Sequence, residues 1–277
     1  MTNPLQTKAM LAQLSISQWT ASKQDKKATN EVETNHGAHD AGRFNKRLVA
    51  KELLEPIAKI AAKARDTHYH YTLAWSDSGP RILPSGLFPE YSAAFRNLKS
   101  QFEFAVDKML LEYPLEVQAA RNRLGTLYEP SDYPDPSDMK GRFALKLEYS
   151  PVPDGDDFRV SVGESDRDEL ARSVHEAVRS RQSAAVVATY SRIRDVVSKI
   201  EERLADPDAI FKDSLINNAI ELCQVLDGLN ITDDPAITDV CQDIRTYLLM
   251  PPSVLRNSPT TRATTADHAG RILRKLP

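Results

Sequence analysis

Apolar residues recur along this chain with two different periods, and each period predicts a different kind of element. From Phe88 to Tyr113 the positions Tyr91, Phe95, Leu98, Phe102, Val106, Met109 and Tyr113 follow one another at steps of four and three. That spacing lines one continuous face of a helix. Pro114 is then expected to begin a separate short helix that ends at Gly125, because proline lacks a backbone donor and clashes with the preceding turn. Between Ser165 and Ala205 there is no proline or glycine, and Val186, Tyr190, Ile193, Val197, Ile200 and Leu204 again step by four and three. This run predicts a helix of about 40 residues whose heptad seam packs lengthwise on the helix that follows it or on another chain.

Other stretches fill in the helical set. Asn45 precedes KRLVAKELLEPIAKIAAKARD, a helix kinked or restarted at Pro56, and the polar run from Lys23 to Asn35 also suits a helix. Beyond Asp206-Pro207, helices are expected to Leu226 and from Pro235 to Leu249, followed by a mobile Ser/Thr/Arg-rich tail and a short terminal helix, Ala266 to Leu276.

The period-two stretches are shorter. Met10 to Trp19 alternates imperfectly, Arg142 to Ser150 alternates Phe143, Leu145, Leu147 and Tyr149 with polar partners, and Phe158 to Val162 does likewise after a PVPDGDD turn. Tyr69 to Leu83 reads as an aromatic hairpin with Ser78-Gly79-Pro80 at its turn. The fold class is therefore α+β. An N-terminal unit with small antiparallel β elements and helices spans residues 1–163, a helical hairpin or bundle with the long helix spans 164–250, and a basic tail with the short terminal helix spans 251–277.

Composition changes this picture little, but charge changes it more. At 277 residues and 41% hydrophobic composition the chain can bury a real core. Cys223 and Cys241 form no C-x-x-C pair and read as buried free thiols; nothing at the start resembles a signal peptide, and no segment approaches membrane-spanning length. A cytoplasmic protein that meets no membrane is the expectation. The net charge of −3 conceals a polarity: lysine plus arginine against aspartate plus glutamate runs 11 to 7 over residues 1–70, 20 to 31 over 71–249 and 5 to 1 over 250–277. Basic ends suit nucleic acid, acidic partners or head-to-tail self-association.

The chemistry candidates are few. His36 and His39 in HGAHD, with Asp156 and Asp157 of the PVPDGDD turn, are the nearest approach to a metal site, since imidazole and carboxylate are good ligands for zinc or magnesium. Solvated loops and turns select the same residues. The chain contains no G-x-x-x-x-G-K-[ST], G-x-G-x-x-G or G-x-S-x-G string, so ATP hydrolysis, dinucleotide binding and serine hydrolysis have no support, and no cofactor is expected. Arg43, Lys46, Arg47, Trp75 and Arg81 form the nucleic-acid candidate, with basic side chains for phosphates and a ring for bases. The competing reading puts the hairpin rings on a buried sheet face and the charges in solvent.

GRFNKRL (Gly42–Leu48), TLAWSDSGPRILP (Thr72–Pro84), DYP (Asp132–Pro134) and PVPDGDDFRV (Pro151–Val160) together resemble a family of uncharacterised tailed-phage and mobile-element proteins, a domain of unknown function. The likeness spans roughly residues 10–165. It implies an accessory protein encoded among DNA-replication and recombination genes, sometimes near an AAA+ ATPase of the MoxR type, and it carries no active-site residue. The leading expectation is a non-enzymatic phage or mobile-element protein in the bacterial host cytoplasm, self-associating through its helical part and binding nucleic acid, above all single-stranded DNA. An interaction or scaffold protein docking on a partner such as an AAA+ ATPase is the alternative, and a metal-dependent hydrolase or nuclease is the third.

Overall fold

The computed structural model describes residues 4–76, 78–155 and 163–277. Along the chain run α1 (Pro4–Lys8), β1 (Ala9–Ser17), β2 (Ser22–Gln24), α2 (Lys26–His36), β3 (Asn45–Arg47), α3 (Lys51–Tyr71), β4 (Leu73–Ala74), β5 (Arg81–Pro84), α4 (Phe88–Leu124), α5 (Pro136–Met139) and β6 (Ala144–Pro151). After these come α6 (Glu164–Ala205), α7 (Ser214–Leu229), α8 (Pro235–Tyr247), α9 (Pro252–Asn257) and α10 (Pro259–Lys275). The protein is α+β, with small sheets in order β4-β5-β1-β6 and β2-β3. The strand expected at Phe158–Val162 lies outside the described residues. Among the described residues, no helix is long and apolar enough to cross a membrane.

Two compact units form, each discontinuous in sequence. The first gathers Met1–Gln13, His68–Tyr91 and Glu148–Pro277, and the second Leu14–Thr67 and Ser92–Leu147. The 163/164 boundary drawn from the sequence therefore falls within the first unit.

In the first unit, β5 pairs antiparallel with β1, Ala9 opposite Pro84 and Ala12 opposite Arg81, and also with β4, Leu73 opposite Ile82. Ile193, Val197, Ile200 and Leu204 of the α6 seam are all buried, and α6 packs on α7 and α10. The tail expected to be mobile is instead helical, because it carries its own apolar face: Leu255, Ala266, Ala269 and Ile272 are buried in the same core as the α6 seam. Ser258 caps α10 by accepting from the Thr261 amide, and Pro259 follows at the first helical position, where its missing N–H costs nothing.

In the second unit, Ile57, Ala61 and Ala64 of α3 share a core with Phe95, Leu98, Phe102, Val106, Met109 and Tyr113 of α4. The helix expected to stop at Tyr113 continues to Leu124 with Pro114 inside it. Proline in a helix interior costs about 3 kcal/mol. The apolar face runs straight through the site, with Tyr113 and Ala120 buried and Pro114 exposed, so burial on either side outweighs that cost. The basic stretch at 43–47 is also not helical. Asn45–Arg47 pairs antiparallel with Ser22–Gln24, Lys46 opposite Lys23, and the helix begins only at Lys51.

The aromatic hairpin is the largest departure from the sequence reading. Tyr69 and Tyr71 close α3, and only Leu73–Ala74 and Arg81–Pro84 form strands. Burial of Ile57, Ala61, Ala64, His68 and Thr72 steps by four and three, a helical period that absorbs the alternating tyrosines. The end of the helix is fixed from elsewhere in the first unit. Arg192 of α6 donates to the carbonyls of Tyr69 (2.7 Å), His70 (3.1 Å) and Thr72, which satisfies acceptors that a helix C-terminus leaves open.

Candidate functional site

Arg43, Lys46 and Arg47 lie in the second unit, and Trp75 and Arg81 in the first. Lys46 is buried: its Nζ lies 3.0 Å from Asp25 Oδ2 and 2.8 Å from Asp132 Oδ2, and it donates to the Leu127 carbonyl at 2.6 Å. Burial works against its charge, but Asp132 and Asp25 outweigh burial and hold its pKa above the usual lysine value. Asp132, similarly penalised by burial, is kept below the ordinary carboxylate range by Lys23 and Lys46. The three N–H donors of Lys46 are thus taken within the chain and none is left for a phosphate. Arg43 and Arg47 are exposed beside Phe44, itself 41% exposed.

The first-unit candidates are likewise engaged. Trp75 is buried, with the Arg181 guanidinium 4.6 Å above its ring centroid. Arg81 sits 4.5 Å over the Tyr69 ring and donates through Nε to Thr72 Oγ1 at 2.8 Å and through Nη2 to the Thr72 carbonyl at 3.3 Å. Arg192 shares that carbonyl; desolvation and the neighbouring Arg81 charge bring its pKa down to about 10, leaving it cationic at neutral pH. His68 accepts or donates at Nδ1 with Tyr91 Oη, 2.6 Å away. Burial, aided by Arg81, lowers the His68 pKa to about 4 and keeps the ring neutral.

The basic C-terminal stretch serves the same internal purpose. Arg262 donates to the carbonyls of Arg203, Leu204, Asp206 and Ala209, Arg256 pairs with Asp213, and Lys275 pairs with Asp243. His36 closes α2 and His39 lies beyond it, while Asp156 and Asp157 fall outside the described residues. Among the described residues, no group of three or more His, Cys, Asp or Glu side chains is placed to hold a metal ion.

What the residue-by-residue reading missed is on the outward side of α4. Phe104, Leu111 and Leu115 are 72%, 82% and 70% exposed. Their spacings of seven and four place them on one stripe, opposite the buried face of the same helix. Beside that stripe, in the second unit, α3 and α4 enclose a groove of about 420 Å³ whose apolar wall is Leu53, Pro56, Ile60, Phe104, Ala105 and Met109, with Glu52 and Glu112 on its rim. The signal was present in the sequence but interrupted, because ending the helix at Tyr113 hides that Leu115 continues the stripe. Comparison with protein-family models, with curated proteins and with solved structures finds no match for this chain.

Proposed function

We propose that this chain is a non-enzymatic interaction protein that docks a partner on the outward face of α4 and the adjoining α3–α4 groove. The observation that carries the reading is the exposed Phe104–Leu111–Leu115 stripe. Single exposed apolar residues are ordinary, but three large ones on one helix stripe beside an apolar groove mark an interaction surface. The resemblance to phage and mobile-element proteins supplies the setting: an accessory of DNA metabolism in a bacterial host cytoplasm, with an AAA+ ATPase as a candidate partner. The double change Leu111→Lys and Leu115→Lys tests the docking face. Association should be lost while the melting temperature stays within a few degrees of the wild type, since exposed positions contribute about 0.5 kcal/mol or less. Cooperative destabilisation would mean the stripe is covered within the chain and would sink the reading.

A second reading keeps nucleic acid as the ligand, carried by exposed Arg43, Arg47 and Phe44, which replace the internal Lys46, Trp75 and Arg81 of the original set. Cations for phosphate and a ring for stacking support it. Anisotropy titration of a labelled single strand decides it: binding tighter than about 10 μM at about 50 mM salt, weakening as salt rises, is expected, and salt-independent or absent binding rejects it.

A further inference from the structure

We propose that the occupant of the α4 face is a second copy of this chain, with the two α4 helices antiparallel and Phe104 of each copy against the partner's Leu115. The proposal rests on the docking reading above and names the partner for the same surface.

The argument starts from the order of residues along the exposed stripe. Extended in both directions at heptad spacing, it reads Asn97, Gln101, Phe104, Lys108, Leu111, Leu115, Gln118, Asn122, and every one of these side chains is exposed. The row is a palindrome in chemical type except at its centre, where Lys108 meets the partner's Leu111. Laid against itself in reverse, it places Asn97 against the partner's Asn122, Gln101 against the partner's Gln118 and Phe104 against the partner's Leu115. Polar meets polar at both ends, and apolar meets apolar at the Phe104 and Leu115 positions inside them. A two-fold interface requires this self-complementarity, since residue i must fit residue j of the other copy while j fits i. The seam runs over 97–122, about 38 Å of helix, comparable to a long coiled-coil contact.

Charge favours the antiparallel arrangement over the parallel one. Lys108 is the one charged residue in that row, and in a parallel pair it would face the partner's Lys108 across the seam. Reversed, it lies beside the partner's Leu111 and the partner's Glu112. Within one chain Lys108 is only loosely paired with Glu112, at 3.9 Å, so both groups are free to re-pair across the interface, twice by symmetry. The amides at the ends fix the register, because a shift of one turn would set Gln101 or Gln118 against an apolar side chain. Gln101 already donates to Asn97 within the chain, so that polar end holds an internal hydrogen bond before association.

The experiment reads register as well as association. Light scattering on the full chain should give twice the chain mass of 31.0 kDa at micromolar concentration. Mixing Phe104→Cys chains with Leu115→Cys chains under mild oxidation should yield a disulfide-linked pair. Phe104→Cys chains alone should not, because their two Cα atoms would lie about 16 Å apart along the helices, beyond disulfide reach. Cys223 and Cys241 are buried and do not compete. A wild-type monomer at about 100 μM, far above the range of a specific dimer, overturns the inference, as does efficient linkage of Phe104→Cys to itself. The two readings fail differently. A monomeric wild type whose Leu111→Lys/Leu115→Lys form remains fully folded leaves the docking face standing with another occupant, whereas an unfolded variant removes both.

Discussion

The seam of α6 and the outward stripe of α4 both repeat at heptad spacing and meet opposite fates. On α6, Ile193, Val197, Ile200 and Leu204 are 2% exposed or less, covered by α7 and α10 of the same unit. On the outward side of α4, Phe104, Leu111 and Leu115 are at least 70% exposed. Burying a leucine or phenylalanine contributes about 1.5–3 kcal/mol, so α4 forgoes several kcal/mol that α6 collects. Heptad spacing therefore announces that a helix needs a neighbour, and only the rest of the chain decides whether that neighbour is internal.

The comparison can be broken by experiment. The largest effect should come from the covered side. Ile272→Asp places a carboxylate where α10 meets the α6 core, and urea denaturation should show a loss of about 4 kcal/mol or more, because a buried unpaired charge has no compensation. If that change proves mild, α10 does not cover α6 in the way described. Next comes acid. His68, 4% exposed, has a folded pKa near 4 against an ordinary 6.5, so below pH 6.5 the unfolded chain takes up a proton that the folded chain refuses. Stability should fall by about 2–3 kcal/mol between pH 7 and pH 4.5 and level off below pH 4. Denaturation at the two pH values should lose most of its difference in a His68→Gln chain; an unchanged difference would assign the acid sensitivity elsewhere. Smallest of all should be the stability effect of Leu111→Lys with Leu115→Lys, even as association disappears.

Much of the fold is legible in the residues, and the exceptions share a cause. The buried face of α4 and the seam of α6 depend on local spacing, which a sequence displays. The end of α3 does not, because Tyr69 and Tyr71 fit a strand or a helix equally well until Arg192, more than a hundred residues later, supplies the donors that finish a helix. Lys46 looks like a surface cation in GRFNKRL, and Asp25 with the distant Asp132 and Leu127 makes it an internal one. Trp75 is similar, since what covers its ring is Arg181. Lys46, Trp75 and Arg81 are held by contacts within the fold, and a list of charges carries no record of which ones the fold itself consumes. The α4 stripe is hidden for a simpler reason: Pro114 signals a helix end, and the apolar face around it carries the helix through.

The interleaving of the two units also sets an order in time. Every residue of the second unit has been synthesised once the ribosome passes Leu147, whereas the first unit lacks its covering helix until residues 259–275 emerge, and Arg262 with them. Long-range closure of this kind is slow, and domains of a nascent chain fold as they become complete. The α4 stripe is thus complete while the first unit is still being made.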